Sequence, residues 1–249
     1  MQEYWELYMK NLEGYPSSIL FNAGISMDIE ELKYTHPTVA FVKVILKEPN
    51  KNGLLSDSEE SEILFLEDKL EAAMLKFRIG KYVGRVISNS SITFIYYLQF
   101  TYNWQDFLEF ALADFLHYEI TNGFSDDNEW NYYQNLLYPT AKEWQLIQNH
   151  KVCKSLLENG DNLKIARAIE HKLFFHDINQ KNSLISILEN DGFVIQQNIE
   201  SEDKIQGVSF YRLDKPFYED IDSLTLKLID ISQKHNASYD GWETSIVKA

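Results

Sequence analysis

The spacing of apolar residues along the first half of the chain predicts strands and one long helix. TVAFVKVILKE, residues 38–48, is rich in β-branched and aromatic residues between two prolines, which predicts a strand. Residues 58–78 carry apolar side chains at helical spacing, which predicts a helix. Ser56 and Glu59, at the start of this helix, have the spacing of a capping box.

The following segments extend this pattern. KYVGRVIS and SITFIYYLQF flank Ser-Asn-Ser, which predicts a β-hairpin with Asn89 in a left-handed turn. Asn103 starts a predicted helix whose inner face is Phe107, Phe110, Ala111 and Phe115. Residues 117–122 predict a strand, GFSDDNE a polar loop, and WNYYQNLLYP another strand. From residue 38 the predicted order is β-α-β-β-α-β, and SILFNAGIS predicts an extra strand before it.

The second half repeats that order. Residues 164–175 predict a strand, and Asp177 caps a helix that stops at Gly192. FVIQQNIES and IQGVSFYRLD predict a hairpin, IDSLTLKLIDISQKHN an amphipathic helix, and ASYDGWETSIV a final strand. The segment TAKEWQLIQNHKVCKSLLENG predicts a helix between the two halves.

These elements predict an α+β protein with two ferredoxin-like, two-layer sandwich domains and antiparallel sheets. We place an α+β domain at residues 1–140, a connecting helix at 141–160 and a second ferredoxin-like domain at 161–249.

The net charge of −15 disfavours direct binding to nucleic acid or to anionic membranes, because phosphate binding depends on Lys and Arg. Lys and Arg are scattered and form no patch in the sequence. The charge is compatible with a basic protein partner, and it is equally explained by solubility alone.

Targeting signals and disulfides are not expected. Cys153 is the single cysteine, and no apolar segment approaches the roughly 20 residues that span a bilayer. The first ten residues lack the pattern of a signal peptide. These features predict a cytoplasmic location.

Few residues suggest catalysis or metal binding. His171 and His176 fall on opposite faces of their predicted strand, so we expect His171 to be a hydrogen-bonded core or edge residue. Cys153 lies among leucines in a predicted helix, which favours a buried structural role. The acidic segment 125–129 lacks the glycine and the distal glutamate of a calcium loop, and we expect a solvated loop. We expect no cofactor and no metal.

The final strand carries an aromatic and acidic cluster. Strict alternation places Trp242 and Ile246 on one face, and Tyr239 and Glu243 on the other. Trp242 then either packs in the core with Ile246 or faces a partner. Gly241 predicts a bulge or a close backbone approach.

Three motifs of the second half resemble a bacterial family. Ile169-Glu170-His171, the segment Gly192-Phe193-Val194-Ile195 and the terminal Tyr239 to Thr244 are similar to motifs of regulator of ribonuclease E activity B. This resemblance implies a ferredoxin-like fold and a non-catalytic role, in which the protein binds the endoribonuclease and slows RNA turnover.

The first half resembles a bacterial family of unknown function, DUF695. The similar residues are Trp5-x-x-Tyr8, Pro16-Ser17-Ser18-Ile19 and Tyr82-Val83-Gly84-Arg85.

We therefore expect a cytoplasmic regulatory or interaction module that inhibits or modulates a ribonuclease or another basic protein. The predicted partner surface is the open face of the second sheet, with Glu170, Phe174, Tyr239 and Glu243. The alternative is an enzyme or a small-molecule-binding protein with a site between the two domains. A third possibility is that the first domain has a passive stabilising role.

Overall fold

Two antiparallel sheets, each with helices packed against it, form an α+β chain. The structure is a computed structural model, and it describes residues 4–248. The chain divides into two compact units, Met1–Pro139 and Thr140–Ala249.

The first unit contains a six-stranded sheet in the order β1-β2-β4-β5-β3-β6, in which every pair is antiparallel. Its strands are β1 (Trp5–Leu12), β2 (Tyr15–Asn22), β3 (Thr38–Ile45), β4 (Gly80–Ser88), β5 (Ser91–Leu98) and β6 (Ile120–Asp126). Its α-helices are α1 (Ile29–Thr35), α2 (Asp57–Phe77) and α3 (Trp104–Leu112).

The main core of the first unit lies between this sheet and helices α2 and α3. Ile63, Leu66 and Leu70 of α2 are fully buried against Val42 and Phe94 of the sheet. Full burial of one such side chain contributes about 1.5–3 kcal/mol, so this layer is a main source of stability.

The strand from residue 38, the long helix and the hairpin are found as predicted. Asn89 has a φ of 46° in the hairpin turn, as expected, and Ser90 shares the left-handed conformation with a φ of 57°. Strand β1 was not predicted. Phe110, predicted for the inner face of its helix, is 45% exposed.

The predicted capping box at the start of α2 is wrong. The Ser56 hydroxyl donates to the Glu48 carbonyl at 2.5 Å instead of capping the helix. The buried Glu59 carboxylate accepts from the backbone N–H groups of Lys47 and Glu48, at 2.9 and 3.0 Å. Glu59 therefore closes the loop between β3 and α2. A capping box does form at Thr140 and Glu143, where none was predicted.

Residues 120–138 differ most from the expectation. Ser125 and Asp126 belong to β6, and the predicted strand WNYYQNLLYP is instead a helical segment, with a π-helix at Tyr133–Leu137. The carboxylate of Asp127 accepts hydrogen bonds from the N–H groups of Asn131 and Tyr132, which favours a helical turn there.

Asp127 is buried, so the predicted solvated loop is also wrong at this position. Burial by itself would raise the pKa of Asp127, but hydrogen bonds from the Tyr132 N–H and the Tyr97 hydroxyl lower the pKa overall. The ring of Trp130 stacks on Tyr97 at 3.7 Å between centroids.

The second unit contains a four-stranded antiparallel sheet in the order β10-β7-β9-β8. Its strands are β7 (Arg167–Phe175), β8 (Val194–Glu200), β9 (Gln206–Asp214) and β10 (Ala237–Glu243). Its α-helices are α4 (Ala141–Glu158), α5 (Lys181–Asn190) and α6 (Tyr218–Lys234).

Helices α4, α5 and α6 contribute to one core with the sheet of the second unit. Cys153 and Leu156 of α4 pack in this core with Leu184 of α5 and Leu228 of α6. The helix that was predicted to connect the halves therefore lies within the second unit. Among residues 4–248, no helix has the length and apolar composition needed to cross a membrane.

Candidate functional site

The second sheet has one side under the helices and a second side that we call the outer face. On β7, Ile169, His171 and Leu173 are fully buried, on the side of the core. Side chains alternate along a strand, so the residues of β7 next to these three point to the outer face. The strand pairings assign to the outer face Ala168, Glu170, Lys172 and Phe174 of β7, Gly207, Ser209, Tyr211 and Leu213 of β9, Val194, Gln197 and Ile199 of β8, and Glu243 of β10.

Glu170 and Glu243 lie side by side on this face, because they are direct partners in the β7–β10 pairing. Like charges at paired positions repel each other. Lys172 offsets this repulsion: its Nζ lies 2.9 Å from Oε1 of Glu243. The hydrogen bond with Glu243 raises the pKa of Lys172, and the charges of Glu243, Asp240 and Glu170 act in the same direction. Glu243 holds the ammonium directly, and Asp240 and Glu170 add negative charge near it.

Tyr239, predicted for the same face, lies on the opposite side. The pairing of β10 with β7 shifts between Tyr239 and Gly241, and Gly241 has a φ of 103°. This bulge inserts one residue, so Tyr239 pairs with Leu173 and Trp242 pairs with His171, and both rings pack against the core. The predicted alternation assumed an unbroken strand and therefore placed Tyr239 wrongly.

The Tyr239 hydroxyl and Nδ1 of His171 share a hydrogen bond of 2.8 Å. His171 is fully buried and stacks on Phe210 at 5.5 Å between ring centroids. Burial, and secondarily the charge of Arg212, lowers the pKa of His171 to about 3. The imidazole is therefore neutral at physiological pH, and it is a hydrogen-bonded core residue as the sequence predicted.

Trp242 is partly buried, and its indole N–H donates to Oδ1 of Asn149 on α4 at 2.7 Å. The Asn149 amide in turn donates to Asp222 and Thr225 of α6, both at 2.8 Å. The core interpretation of Trp242 is therefore correct, although its predicted companion Ile246 is 47% exposed.

Cys153 is fully buried, and its thiol donates to the Pro216 carbonyl at 3.3 Å. Burial, with the charge of Asp222 as a further cause, raises the pKa of the thiol to about 11. A protonated, buried thiol is a poor nucleophile, which agrees with the structural role expected from the sequence.

Phe174 lies on the outer face against Gly207. A Cβ atom at Gly207 would lie 2.6 Å from Cδ1 of Phe174 and 2.5 Å from the Leu173 carbonyl oxygen. Glycine at this position therefore leaves room for the Phe174 ring beside β9.

Tyr211 supplies the second aromatic of the outer face, where Tyr239 was expected. It pairs with Glu170 on β7 and with Val194 on β8. The alternation of β9 around the buried Val208 and Phe210 could have identified Tyr211 from the sequence.

Ser209 is the least exposed polar residue assigned to this face, at 4%. It stands directly opposite Lys172 in the sheet, with Gln197 on its other side. Within residues 4–248 its hydroxyl has no hydrogen-bond partner. A buried hydroxyl without a partner is unfavourable, so Ser209 would gain from a hydrogen bond if its surroundings opened.

In the first unit, the motif residues that resemble DUF695 join the first strands to β4 and α2. Trp5 and Tyr82 lie 5.3 Å apart between ring centroids, and the Tyr82 hydroxyl donates to Glu67 of α2 at 2.7 Å. Arg85 forms an ion pair with the same glutamate, with both side chains mostly buried. These contacts give the motif a structural role.

Comparisons with known proteins agree with this division into two parts. Residues 146–244 match the family model described as regulator of ribonuclease activity B, and residues 3–138 match the family of unknown function DUF695. No curated protein matches the chain.

Two solved structures have a low similarity to the chain. One is a protein of unknown function from Galdieria sulphuraria, with 10% identity, 85% of this chain and 99% of that chain covered, and a TM-score of 0.22. The other is a hypothetical protein, with 6% identity, 97% and 95% covered, and a TM-score of 0.21. At these scores the structures carry no argument about fold or function. The DUF695 match, in contrast, spans more than half of the residues, and the chain therefore belongs to the DUF695 family.

Proposed function

We propose that this protein is a non-catalytic regulator that binds a basic segment of a partner protein on the outer face of its second unit. A ribonuclease is the first partner to consider, because residues 146–244 match the ribonuclease-regulator model. The observation that carries the proposal is that Glu170, Asp240 and Glu243 line one cavity with Lys172, which pairs with Glu243 alone.

The charge of the chain supports a basic partner. Residues 160–249 hold fifteen Asp and Glu against ten Lys and Arg, and the whole chain carries a net charge of −15. An acidic surface accelerates the encounter with a positively charged segment and rejects acidic competitors. The same charge disfavours RNA as the direct ligand.

The outer face also offers apolar area beside its carboxylates. Val194 is 50% exposed and Leu213 is 69% exposed. The partly exposed ring of Tyr211 lies between Glu170 and Val194 across the strands, and the partly exposed ring of Phe174 lies on the other side of Lys172. Aromatic residues next to charged ones are typical of protein interfaces. A segment with both basic and apolar side chains fits this surface better than a purely charged one.

We also propose that both units are ferredoxin-like. In each unit the order β-α-β-β-α-β accompanies a matching sheet order, β6-β3-β5-β4 in the first unit and β10-β7-β9-β8 in the second. Strands β1 and β2 extend the first sheet beside β4. A cytoplasmic location is part of the proposal, and the single free cysteine supports it.

Reversal of the two paired charges tests the surface. We expect Glu170→Lys with Glu243→Lys to weaken binding of a fluorescent octa-arginine peptide at least tenfold at low salt, measured by anisotropy. Tenfold corresponds to about 1.4 kcal/mol, which two reversed surface charges supply readily. The same variant should lose any inhibition of purified bacterial ribonuclease E.

The matched control is Glu189→Lys with Glu202→Lys, which makes the same charge change at exposed positions of α5 and of the β8–β9 turn. We expect the control to bind nearly as wild type does. Circular dichroism should show that both variants are folded. A folded Glu170→Lys, Glu243→Lys variant with wild-type affinity would exclude the outer face as the binding site.

A further inference from the structure

We propose that Lys172 is an internal cation that occupies the place of a partner's arginine, and that a basic segment binds by displacing Lys172 from Glu243. This inference rests on the proposed function. It adds that Lys172 competes with the partner's basic residues for Glu243. This competition lowers the affinity of the protein for the partner and selects against weakly basic ligands.

The position of Lys172 is the first observation. It lies on the central strand pair of the sheet, between Phe174 and Glu170 along β7, and it reaches Glu243 on β10. Beside this ion pair the surface is concave. A cavity of about 210 Å³ is lined by Glu170, Lys172, Asp240, Gly241, Trp242 and Glu243. A guanidinium group is small enough to enter this space next to the carboxylates.

The charge balance within the cavity is the second observation. Three carboxylates and one lysine line the cavity, and the lysine pairs with one of the carboxylates, so the group keeps a net negative charge with Lys172 in place. An ammonium is a point charge, whereas a guanidinium is planar and can bind two carboxylate oxygens at once. An arginine can therefore satisfy Glu170 and Glu243 together better than Lys172 does.

Ser209 provides a third, independent observation. Its hydroxyl is buried, lacks a partner within the described residues and stands opposite Lys172 on the outer face. When the Lys172 side chain turns to solvent, we expect the hydroxyl opposite it on β9 to become accessible to the bound segment. It can accept from a guanidinium N–H or donate to a backbone carbonyl of the bound segment.

The ion pair of Lys172 is weak enough to be displaced. The side chains of Lys172 and Glu243 are 42% and 62% exposed, and pairs with such exposure contribute little to stability. The whole lysine side chain can turn from the sheet toward solvent, where its ammonium stays hydrated. Displacement therefore breaks one exposed ion pair and leaves no buried charge behind.

Substitution of the lysine tests the inference. Lys172→Met keeps an unbranched side chain and removes the competing charge. We expect it to tighten octa-arginine binding about fivefold at low salt, which equals about 1 kcal/mol. Its affinity should also fall more steeply with salt than that of wild type. The control is Lys154→Met, which removes an equally charged lysine from an exposed ion pair with Glu158 on α4 and should leave affinity nearly unchanged.

The contact to Ser209 is tested separately. We expect Ser209→Ala to weaken peptide binding about threefold in both the wild type and the Lys172→Met background. An unchanged affinity would exclude the hydroxyl as a contact. In wild type, the ¹³C signal of the Lys172 Cε should show that its pKa falls toward the ordinary lysine value when peptide is added, because the lysine then loses Glu243.

The outcomes separate the inference from the proposed function. If Glu170→Lys with Glu243→Lys weakens binding but Lys172→Met binds no more tightly than wild type, the surface is correct and the displacement is wrong. If Lys154→Met tightens binding as much as Lys172→Met, total charge is the cause and the displacement is again wrong. If the glutamate reversals have no effect, the proposed surface and the inference both fail.

Discussion

The buried His171 makes the stability of the second unit dependent on pH. Its pKa is about 3 in the folded protein, against an ordinary value of 6.5. Between these values the unfolded chain binds a proton that the folded chain does not. The contribution is therefore complete above pH 6.5 and is lost progressively as pH falls toward 3.

The magnitude follows from the difference between the two pKa values. A pH of 5 is about 1.5 units below the pKa of the imidazole in the unfolded chain, so that imidazole is mostly charged. In the folded protein the imidazole remains neutral at this pH. One unit corresponds to 1.36 kcal/mol, so lowering the pH from 7 to 5 should cost the second unit about 2 kcal/mol through this residue.

Amide hydrogen exchange by NMR on the full chain is the appropriate assay, because the two units can open independently. The slowest amides of β7 and β9 report the second unit. His171→Gln provides the comparison, since it keeps a polar side chain that does not titrate. We expect the decrease between pH 7 and pH 5, corrected for intrinsic exchange, to be about 2 kcal/mol smaller in this variant. An identical pH dependence in both proteins would refute a neutral, buried His171.

Two further predictions concern how the second sheet is built. Trp242→Phe should lower the free energy of unfolding by about 1–2 kcal/mol, because it removes the indole hydrogen bond to Asn149. In an Asn149→Ala background the same change should cost less when measured by urea denaturation. Equal costs in the two backgrounds would contradict the contact. Gly207→Ala should lower the free energy of unfolding by about 1–3 kcal/mol, because the added Cβ would clash with the Leu173 carbonyl. Gly241→Ala meets no atom within 4 Å and should cost only the strain of its left-handed backbone. A Gly207→Ala variant as stable as wild type would contradict the close packing under Phe174.

The elements that the sequence predicted well are those with long, uninterrupted periodicity. The helix at Asp57–Phe77 and the hairpin of β4 and β5 each bury a regular set of side chains, so the pattern alone identified them. Residues 130–138 are apolar and aromatic, which resembles a strand. Their helical form depends on the buried carboxylate of Asp127, which accepts backbone hydrogen bonds at the start of the segment. The spacing of apolar residues contains no information about such a side-chain cap.

The candidate surface was predicted in part for a similar reason. Glu170, Phe174 and Glu243 are on the outer face as the alternation required, because β7 is regular along its pairing with β9. Tyr239 is not on the outer face. The bulge inserts one residue into β10, so the residues before the bulge point to the opposite side from the one that simple alternation from Glu243 predicts. Gly241 indicated that a bulge was possible, but periodicity cannot decide whether a bulge forms. Tyr211 was overlooked because the prediction considered only the first and last strands.

The bulge also explains why one short motif combines core aromatics with surface acids. On one side of Gly241 the Tyr239 hydroxyl is fixed by His171, and on the other side the Trp242 indole is fixed by Asn149 of α4. Both anchors hold the backbone between them, so Asp240 and Glu243 project from a segment that is constrained at each end. A backbone held in this way loses little conformational freedom when a cation binds to its carboxylates, which favours affinity. The interior residues of the motif therefore act on recognition through position, and a change at Tyr239 or Trp242 should alter binding even though both rings pack against the core.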